Sequence, residues 1–303
     1  MHDLIIAGAG PAGLTAAIYA ARAGLDAITV ERSFAGGQMA ISNTIENYPG
    51  YENDTPGAAI ANSMKLQAQR LGAVIVSEDI KSFDITGKTK KIATSKNEYE
   101  AKAIILAMGA IPRQLGIEGE KRLAGSGVSY CATCDGAFFK GAPVAVIGGG
   151  NTAVEDALYL ANICSEVHLV HRRMQFRAQH ALVEKAKQVA NITLHLPYLP
   201  GEVTGEYAVD GMTVKHAETG ETEHFGVNGV FFAVGNIPKT ELVQGMVTLD
   251  EAGYIVSDEG CATSLAGVFC AGDIRTKRLR QIVTATADGA VAVAAAEEYL
   301  FSL

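Results

Sequence analysis

The chain has 303 residues, enough for two domains of ordinary size, and 48% of them are hydrophobic against 19% charged. A formal net charge of −8 argues against nucleic acid or an anionic membrane as the partner. No apolar stretch is long and uninterrupted enough to span a bilayer, and Met1-His2-Asp3 lacks the basic region that opens a signal peptide, so the expected location is cytoplasmic.

In chain order, one unit is used twice. Residues 4–8 read L-I-I-A-G, a short β-type run entering a glycine loop, followed by an Ala-rich helical segment at 15–23 and a second strand at 27–31. Residues 144–148 read V-A-V-I-G and lead to a helix at 153–163 and a strand at 167–171. Strand, loop, helix and strand make a βαβ unit with parallel strands. Two more apolar runs, 103–107 and 229–234, end at Met108-Gly109-Ala110 and at Gly235, like matched strand ends. The tail reads G-Y-I-V, then G-V-F-C-A-G-D, then an Ala-rich helix from about Arg280; it carries no glycine fingerprint and is expected to complete one of the two domains. Pro112 and Pro238 follow strand ends and mark the expected crossings.

The first glycine loop is Gly8-Ala9-Gly10-Pro11-Ala12-Gly13, a G-x-G-x-x-G between strand and helix. Its glycines make the turn, admit a pyrophosphate and let helix and strand pack, while the helix N-terminus offers N–H groups to the phosphates. Glu31 ends the next strand, where an acid holds a ribose hydroxyl. The second loop, Gly148-Gly149-Gly150-Asn151-Thr152-Ala153, is G-x-G-x-x-A, and its following strand ends in His171-Arg172-Arg173 with Arg177 beyond. Guanidinium groups in place of the acid suit a 2′-phosphate. Two different dinucleotide sites in one chain suggest an electron relay, with FAD in the first and NADPH in the second. The expected fold is therefore α/β, with two Rossmann-like dinucleotide-binding domains, the second inserted into the first. Residues 1–111 and 244–303 form the FAD-binding domain, and residues 112–243 the NADPH-binding domain.

Cys131-Ala132-Thr133-Cys134-Asp135 holds a C-x-x-C, which suits a small disulfide ring with one attacking and one resolving thiol. Zinc would need two further ligands, and Cys164, Cys261 and Cys270 are scattered singly, so no metal site is expected. Asp135 fits either a general acid–base or a turn-forming Asp-Gly, and its sequence context does not separate the two.

The C-A-T-C-D-G segment, the G-G-G-N-T-A loop, the H-R-R-x-x-x-R-A run and the late G-V-F-x-A-G-D resemble, in order and over essentially the whole chain, the low-molecular-weight thioredoxin reductases of bacteria. The resemblance implies a homodimer that passes electrons from NADPH through FAD and the Cys131–Cys134 pair to oxidised thioredoxin. It places FAD contacts at Gly8, Ala9, Gly10, Pro11 and Ala12, at Glu31 and Arg32, and at Gly37, Gln38 and Asn47. Further FAD contacts fall at Gly109, Asp273, Arg280, Gln281 and Ile282. NADPH contacts fall at Gly150, Asn151, Thr152, His171, Arg172, Arg173 and Arg177. By analogy Cys134 faces the flavin, Cys131 attacks the thioredoxin disulfide and Asp135 donates the proton. Met108, Met174 and Leu279 depart from the usual residues without removing a redox group.

Thiols and nicotinamide share the inserted domain, so both reach one flavin only if that domain rotates about its two crossings, as the family also implies. Rival readings are a peroxiredoxin-type reductase, a dithiol oxidase and a ferredoxin-fed relative. The first normally carries an extra N-terminal thiol domain, and the last tends to lose the arginines. A non-catalytic nucleotide-binding redox sensor would have no use for both cysteines and Asp135.

Overall fold

The computed structural model describes Met1–Leu303 apart from Asn43 and Asp54. Strand β1 (His2–Ala7) runs through the first glycine loop into helix α1 (Pro11–Arg22) and back to β2 (Ala27–Glu31). The helix begins at Pro11 rather than at residue 15, because proline at the first helical position lacks only an N–H that would have no intrahelical partner. A short helix α2 (Gly37–Ala40), helix α3 (Gly57–Arg70) and strand β3 (Val74–Ser77) follow. Then come β4 (Ile80–Asp84), β5 (Lys90–Thr94), β6 (Glu98–Leu106) and β7 (Ala110–Pro112).

The second stretch holds β8 (Val128–Ser129), the single turn α4 (Ala132–Asp135), β9 (Pro143–Ile147), α5 (Asn151–Leu160), β10 (Glu166–Val170), α6 (His180–Lys187) and β11 (Ile192–His195). An antiparallel set β12 (Tyr198–Thr204), β13 (Gly211–His216) and β14 (Thr222–Phe225) precedes β15 (Gly229–Phe232). The tail contributes β16 (Asn236–Pro238), which pairs with β7, then β17 (Val268–Cys270) and α7 (Ile282–Phe301).

The chain divides into two compact units, Met1–Ile111 with Ile237–Leu303, and Pro112–Asn236. The second unit ends at Asn236, beside the crossing expected at Pro238 and inside the 112–243 bounds expected for the inserted domain, because residues 237–243 belong with the first unit and Val243 is buried beside Ile5 and Ile104. The tail completes that first unit: β17 joins β6 at Ile104 to Leu106, and α7 packs against α1.

Each unit is built the same way. The first has the parallel order β3-β2-β1-β6-β17, and the second β11-β10-β9-β15-β8. In both, the βαβ strand is central, with its partner strand on one side and a later strand on the other. Such a reversal of strand order opens a crevice at the carboxyl ends, above the glycine loop. Helices α1 and α7 present Ala12, Ala16, Ala20, Ala285, Ala292 and Ala296 to one core layer, which permits close approach. A Cβ on Gly289 would lie 2.2 Å from the Ala12 carbonyl oxygen. Among the described residues no helix is long and apolar enough to cross a membrane.

One polar pair is built into the second unit. His168 Nδ1 and His195 Nε2 are 2.9 Å apart, with Phe225 stacked on both rings at centroid distances of 4.4 and 4.9 Å. A contact that short holds one hydrogen between two neutral rings. Burial pushes both histidines below their ordinary range; the neighbouring His168 adds to this for His195, while Glu166 opposes it for both and Glu223 for His195. The unfolded chain therefore takes up protons near pH 6.5 that the folded one refuses, so stability falls as pH drops below that value. Replacing His195 with Gln should cost about 1 kcal/mol less at pH 5 than at pH 7.5. Denaturant melts of both proteins at the two pH values check this, and an equal cost at both contradicts it.

Candidate active site and cofactor loops

The two glycine loops separate what the fold needs from what it leaves open. Gly8 has φ +104°, and a Cβ there would sit 2.5 Å from the Ala107 carbonyl oxygen; one on Gly13 would sit 1.9 Å from Gly8 O. These two are demanded by the strand-to-helix turn itself. Gly10 and Gly150 differ: each caps its helix in ordinary extended backbone, and a Cβ at either would meet nothing within 4 Å. No intramolecular contact requires glycine there, so the clearance lies toward whatever the helix N-terminus faces.

The rest of the first loop set converges on Gly10. Ala9 N–H donates to Glu31 Oε2 at 2.8 Å, and Gly36 N–H donates to the Ala9 carbonyl at 2.7 Å. Gly37 brings its Cα side to within 3.3 Å of Gly10 for a built Cβ, with Gln38 following on α2 and Arg32 exposed nearby. Gly272 closes the other side against Ala12. Asn47 Nδ2 donates to Gln281 Oε1 at 3.1 Å, joining residues far apart in sequence. Gln281 caps α7, whose first residue Ile282 packs on the layer containing Ala9. Arg280 lies over the Tyr254 ring at 4.0 Å. Asp273 Oδ1 and Arg280 Nε are buried with no hydrogen-bond partner, and burial pushes the Asp273 carboxyl above its ordinary range. A helix N-terminus, a clear approach at Gly10 and two orphaned polar atoms of opposite character fit a phosphate- and hydroxyl-rich group. Gly109 stands apart from this set, at φ +70°, with its carbonyl accepting from Lys239 N–H at 3.0 Å.

The turn that carries Asp273 is held by an acid on α7. Asp288 on α7 accepts from Gly272 N–H at 2.9 Å and Lys277 Nζ at 2.7 Å through one oxygen, and from Arg275 at 3.0 Å through the other. An acid beside a glycine, among the alanines of the first half of α7, is its local signal.

At the second loop, Asn151 and Thr152 open α5 and are exposed. Asn151 Oδ1 accepts Gln179 N–H at 2.8 Å, and Arg177 N–H donates to Gly149 O at 2.8 Å, so the arginine-bearing segment is tied to the loop by backbone. Arg172, Arg173 and Arg177 are all exposed. His171 is of another kind: it is buried, stacked on Phe176, and its Nε2 contacts Gln175 O at 3.1 Å. A Cβ on Gly149 would lie 2.2 Å from its ring, so Gly149 is glycine to admit His171. Burial, reinforced by the three arginines, holds that ring below its ordinary titration range, and a neutral imidazole supports the loop without adding charge.

Cys131 and Cys134 are joined by a disulfide, with Cα atoms 5.3 Å apart. Cys131 caps α4, and its carbonyl accepts N–H bonds from Cys134 at 3.2 Å and Asp135 at 3.1 Å. The preceding residue is anchored: Tyr130 OH donates to Glu120 Oε1 at 3.1 Å and its ring lies against Phe232. Burial and the Glu120 charge push that phenol up to about 12. Ser129 Oγ donates to Asp135 Oδ2 at 2.5 Å and accepts Cys131 N–H at 3.1 Å. Burial pushes the Asp135 carboxyl up, and the Ser129 hydrogen bond partly offsets this. Cys164, Cys261 and Cys270 are buried thiols with no disulfide partner. Among the described residues no group of three or more His, Cys, Asp or Glu side chains is placed to hold a metal.

Residues 2–289 match the pyridine nucleotide-disulphide oxidoreductase family. The chain belongs to that family. A thioredoxin reductase of Peptoclostridium acidaminophilum is 45% identical over 99% of this chain and 97% of its own length. A bifunctional thioredoxin reductase/thioredoxin of Mycobacterium leprae (strain TN) is 41% identical over 99% of this chain and 66% of its own length. The crystal structure of thioredoxin reductase from Streptococcus pyogenes MGAS5005 superposes with a TM-score of 0.94 at 39% identity, covering 100% of this chain and 99% of that one. The chain is thus an oxidoreductase of the two-domain dinucleotide-binding fold, with FAD and NADPH as its cofactors.

Alanine at the two open glycines should separate fold from ligand. Gly10→Ala should purify folded but depleted of flavin, whereas Gly150→Ala should keep its flavin and bind NADPH at least tenfold more weakly, about 1.4 kcal/mol. Flavin absorbance per protein and NADPH titration read the two effects. Loss of folding in either variant contradicts the clearance argument.

Proposed function

We propose that the chain is a thioredoxin-disulfide reductase, fed by NADPH bound at the 148–153 loop with FAD bound at the 8–13 loop. The observation that carries this reading is the Cys131–Cys134 disulfide, held in a short turn beside a half-buried acid. FAD held at the 8–13 loop would supply two-electron chemistry between NADPH and a disulfide.

The chain's own residues supply the rest. The Gly8–Ala12 backbone and the α1 N-terminus would hold the flavin pyrophosphate, with Glu31 on a ribose, Asp273 and Arg280 completing the cradle, and Gln38, Asn47, Gln281 and Ile282 lining it. Arg172, Arg173 and Arg177 would grip the 2′-phosphate of NADPH, with Asn151 and Thr152 at the pyrophosphate. Reduction of the Cys131–Cys134 disulfide to two thiols takes two electrons and two protons. The Cys131 thiolate then attacks one sulfur of the partner's disulfide and forms a mixed disulfide, releasing the other sulfur as a thiolate. Asp135 gives its proton to that leaving thiolate. Cys134 closes on Cys131, releasing the partner fully reduced and restoring the internal disulfide.

Thioredoxin as that partner is supported by the thioredoxin reductases among the relatives and by the Mycobacterium leprae relative, whose name joins both activities. The Arg172, Arg173 and Arg177 run favours NADPH over ferredoxin as donor, and the pair with its acid favours an enzyme over a passive sensor. The same reading carries a homodimer working in the cytoplasm, and a rotation of the inserted unit about its two crossings.

Anaerobic NADPH should bleach the yellow protein, and oxidised thioredoxin should restore the colour. Cys134→Ser should still bleach but fail to reduce thioredoxin, with turnover down by at least a thousandfold. Absence of bleaching in the wild type would sink the proposal. A cross-link that fixes the two units should stop multiple turnover while sparing one half-reaction, and normal cycling in the locked protein would remove the rotation.

A further inference from the structure

We propose that Ser129 is a positioning residue for the disulfide chemistry: its hydroxyl sets both the geometry and the protonation of Asp135 relative to Cys131. The inference rests on the reading of Asp135 as the proton donor. Three facts carry it. Ser129 is buried, at 4% exposure, at the end of β8. Its Oγ donates to Asp135 Oδ2 at 2.5 Å. The same oxygen accepts the Cys131 N–H at 3.1 Å. One atom thus fastens the carboxyl of the acid to the backbone N–H of the attacking cysteine, beside the backbone bond that the turn makes from Asp135 N–H to the Cys131 carbonyl.

The hydroxyl suits a group that must change protonation state. Toward a carboxylate it donates, as seen here. Toward a carboxylic acid it accepts, and its own hydrogen turns to the Cys131 carbonyl, already 3.4 Å away. A serine is both donor and acceptor and rotates freely, so neither state of the acid leaves a buried polar atom unpaired. Besides burial, Ser129 is the group that acts on the Asp135 carboxyl. Glu155, Asp156 and Tyr159 lie on α5, which packs against the turn, and Lys140 follows it; none of them contributes to the shift.

The sign follows from the donor. A hydrogen bond given to the charged form holds the carboxyl lower than burial alone would, so removing it raises the pH at which the acid loses its proton. The alkaline limb of kcat for thioredoxin reduction, which reports the essential acid, should move up by about one pH unit in Ser129→Ala. Ser129→Thr keeps the hydroxyl and should restore the wild-type limb. Ser129→Cys, nearly the same size with a weaker donor, should move it part-way in the same direction and serves if the alanine variant folds poorly. NADPH–ferricyanide activity needs no thiol and should remain within twofold in all three, which separates the effect from damage to the fold. Asp135→Asn tests the underlying reading: if the alkaline limb persists in that variant, Asp135 is not the acid. If Asp135→Asn abolishes the limb while Ser129→Ala and Ser129→Cys leave it where it was, the role of Ser129 is overturned and that of Asp135 stands.

Discussion

Helix α1 leaves strand β1 so closely that the turn between them admits no side chain at Gly8 or Gly13. A Cβ on Gly13 would fall 1.9 Å from the Gly8 carbonyl oxygen, and one on Gly8 would strike the backbone at Ala107. The rest of the first unit depends on this approach. It aims the unpaired N–H groups of the helix into the crevice where β1 has β2 on one side and β6 on the other. It also brings α1 near enough to α7 for alanines to interlock and for Gly289 to pass the Ala12 carbonyl. That contact fixes the N-terminus of α7, where Gln281 reaches Asn47, and fixes Asp288, which holds the Gly272–Asp273 turn by its backbone. The juxtaposition of four distant segments is thus the outcome of one steric constraint.

The second unit repeats the constraint with a different filler. Gly148 is pressed against the Ala233 carbonyl as Gly8 is against Ala107, but the middle glycine gives way to the His171 ring. In the first unit a carboxylate from the end of β2 receives the loop's N–H; in the second an imidazole from just beyond β10 packs beneath it. The difference has an electrostatic consequence. A buried neutral ring can sit beside three arginines, whereas an acid there would pair with them and draw them away from a phosphate. The same replacement leaves the arginines exposed, an arrangement that suits a phosphate.

These relations explain what the sequence made legible. Periodic signals located both βαβ units, the matched strand ends and the tail helix, because short apolar runs entering glycine have few other uses. The glycine loops, the arginines and the C-x-x-C were legible because each is a fixed spacing on one segment. The helix starts at Pro11 and Asn151 were read late, since glycine-rich loops do not announce that their last residues already coil. Whether the return crossing fell near Pro238 or after residue 243 turned on the burial of Val243, a tertiary fact with no local signature. Ser129, Asp288 and the packing of His171 were illegible for one reason. Each acts through a partner whose register is set by folding, and a serine before a cysteine or an acid in an alanine helix has many commoner explanations.

The redox turn is supported in the opposite way from the cofactor loops. There, backbone crowding leaves no freedom; here, a single helical turn with one exposed cysteine would be loose if left to its own hydrogen bonds. Side chains before and after it supply the rigidity. Tyr130 is pinned by Glu120 and Phe232, Ser129 grips both Asp135 and the Cys131 backbone, and Gly136 lets Leu160 and Tyr159 of α5 close on the far end. A disulfide that must open and close needs this arrangement. Breaking the S–S bond removes a covalent tie, and the two sulfurs keep their places only if the residues around them are held by something the reaction does not touch. Anchoring through Tyr130, Ser129 and Gly136 leaves the bond itself free of structural duty, so the turn can be reduced without being undone.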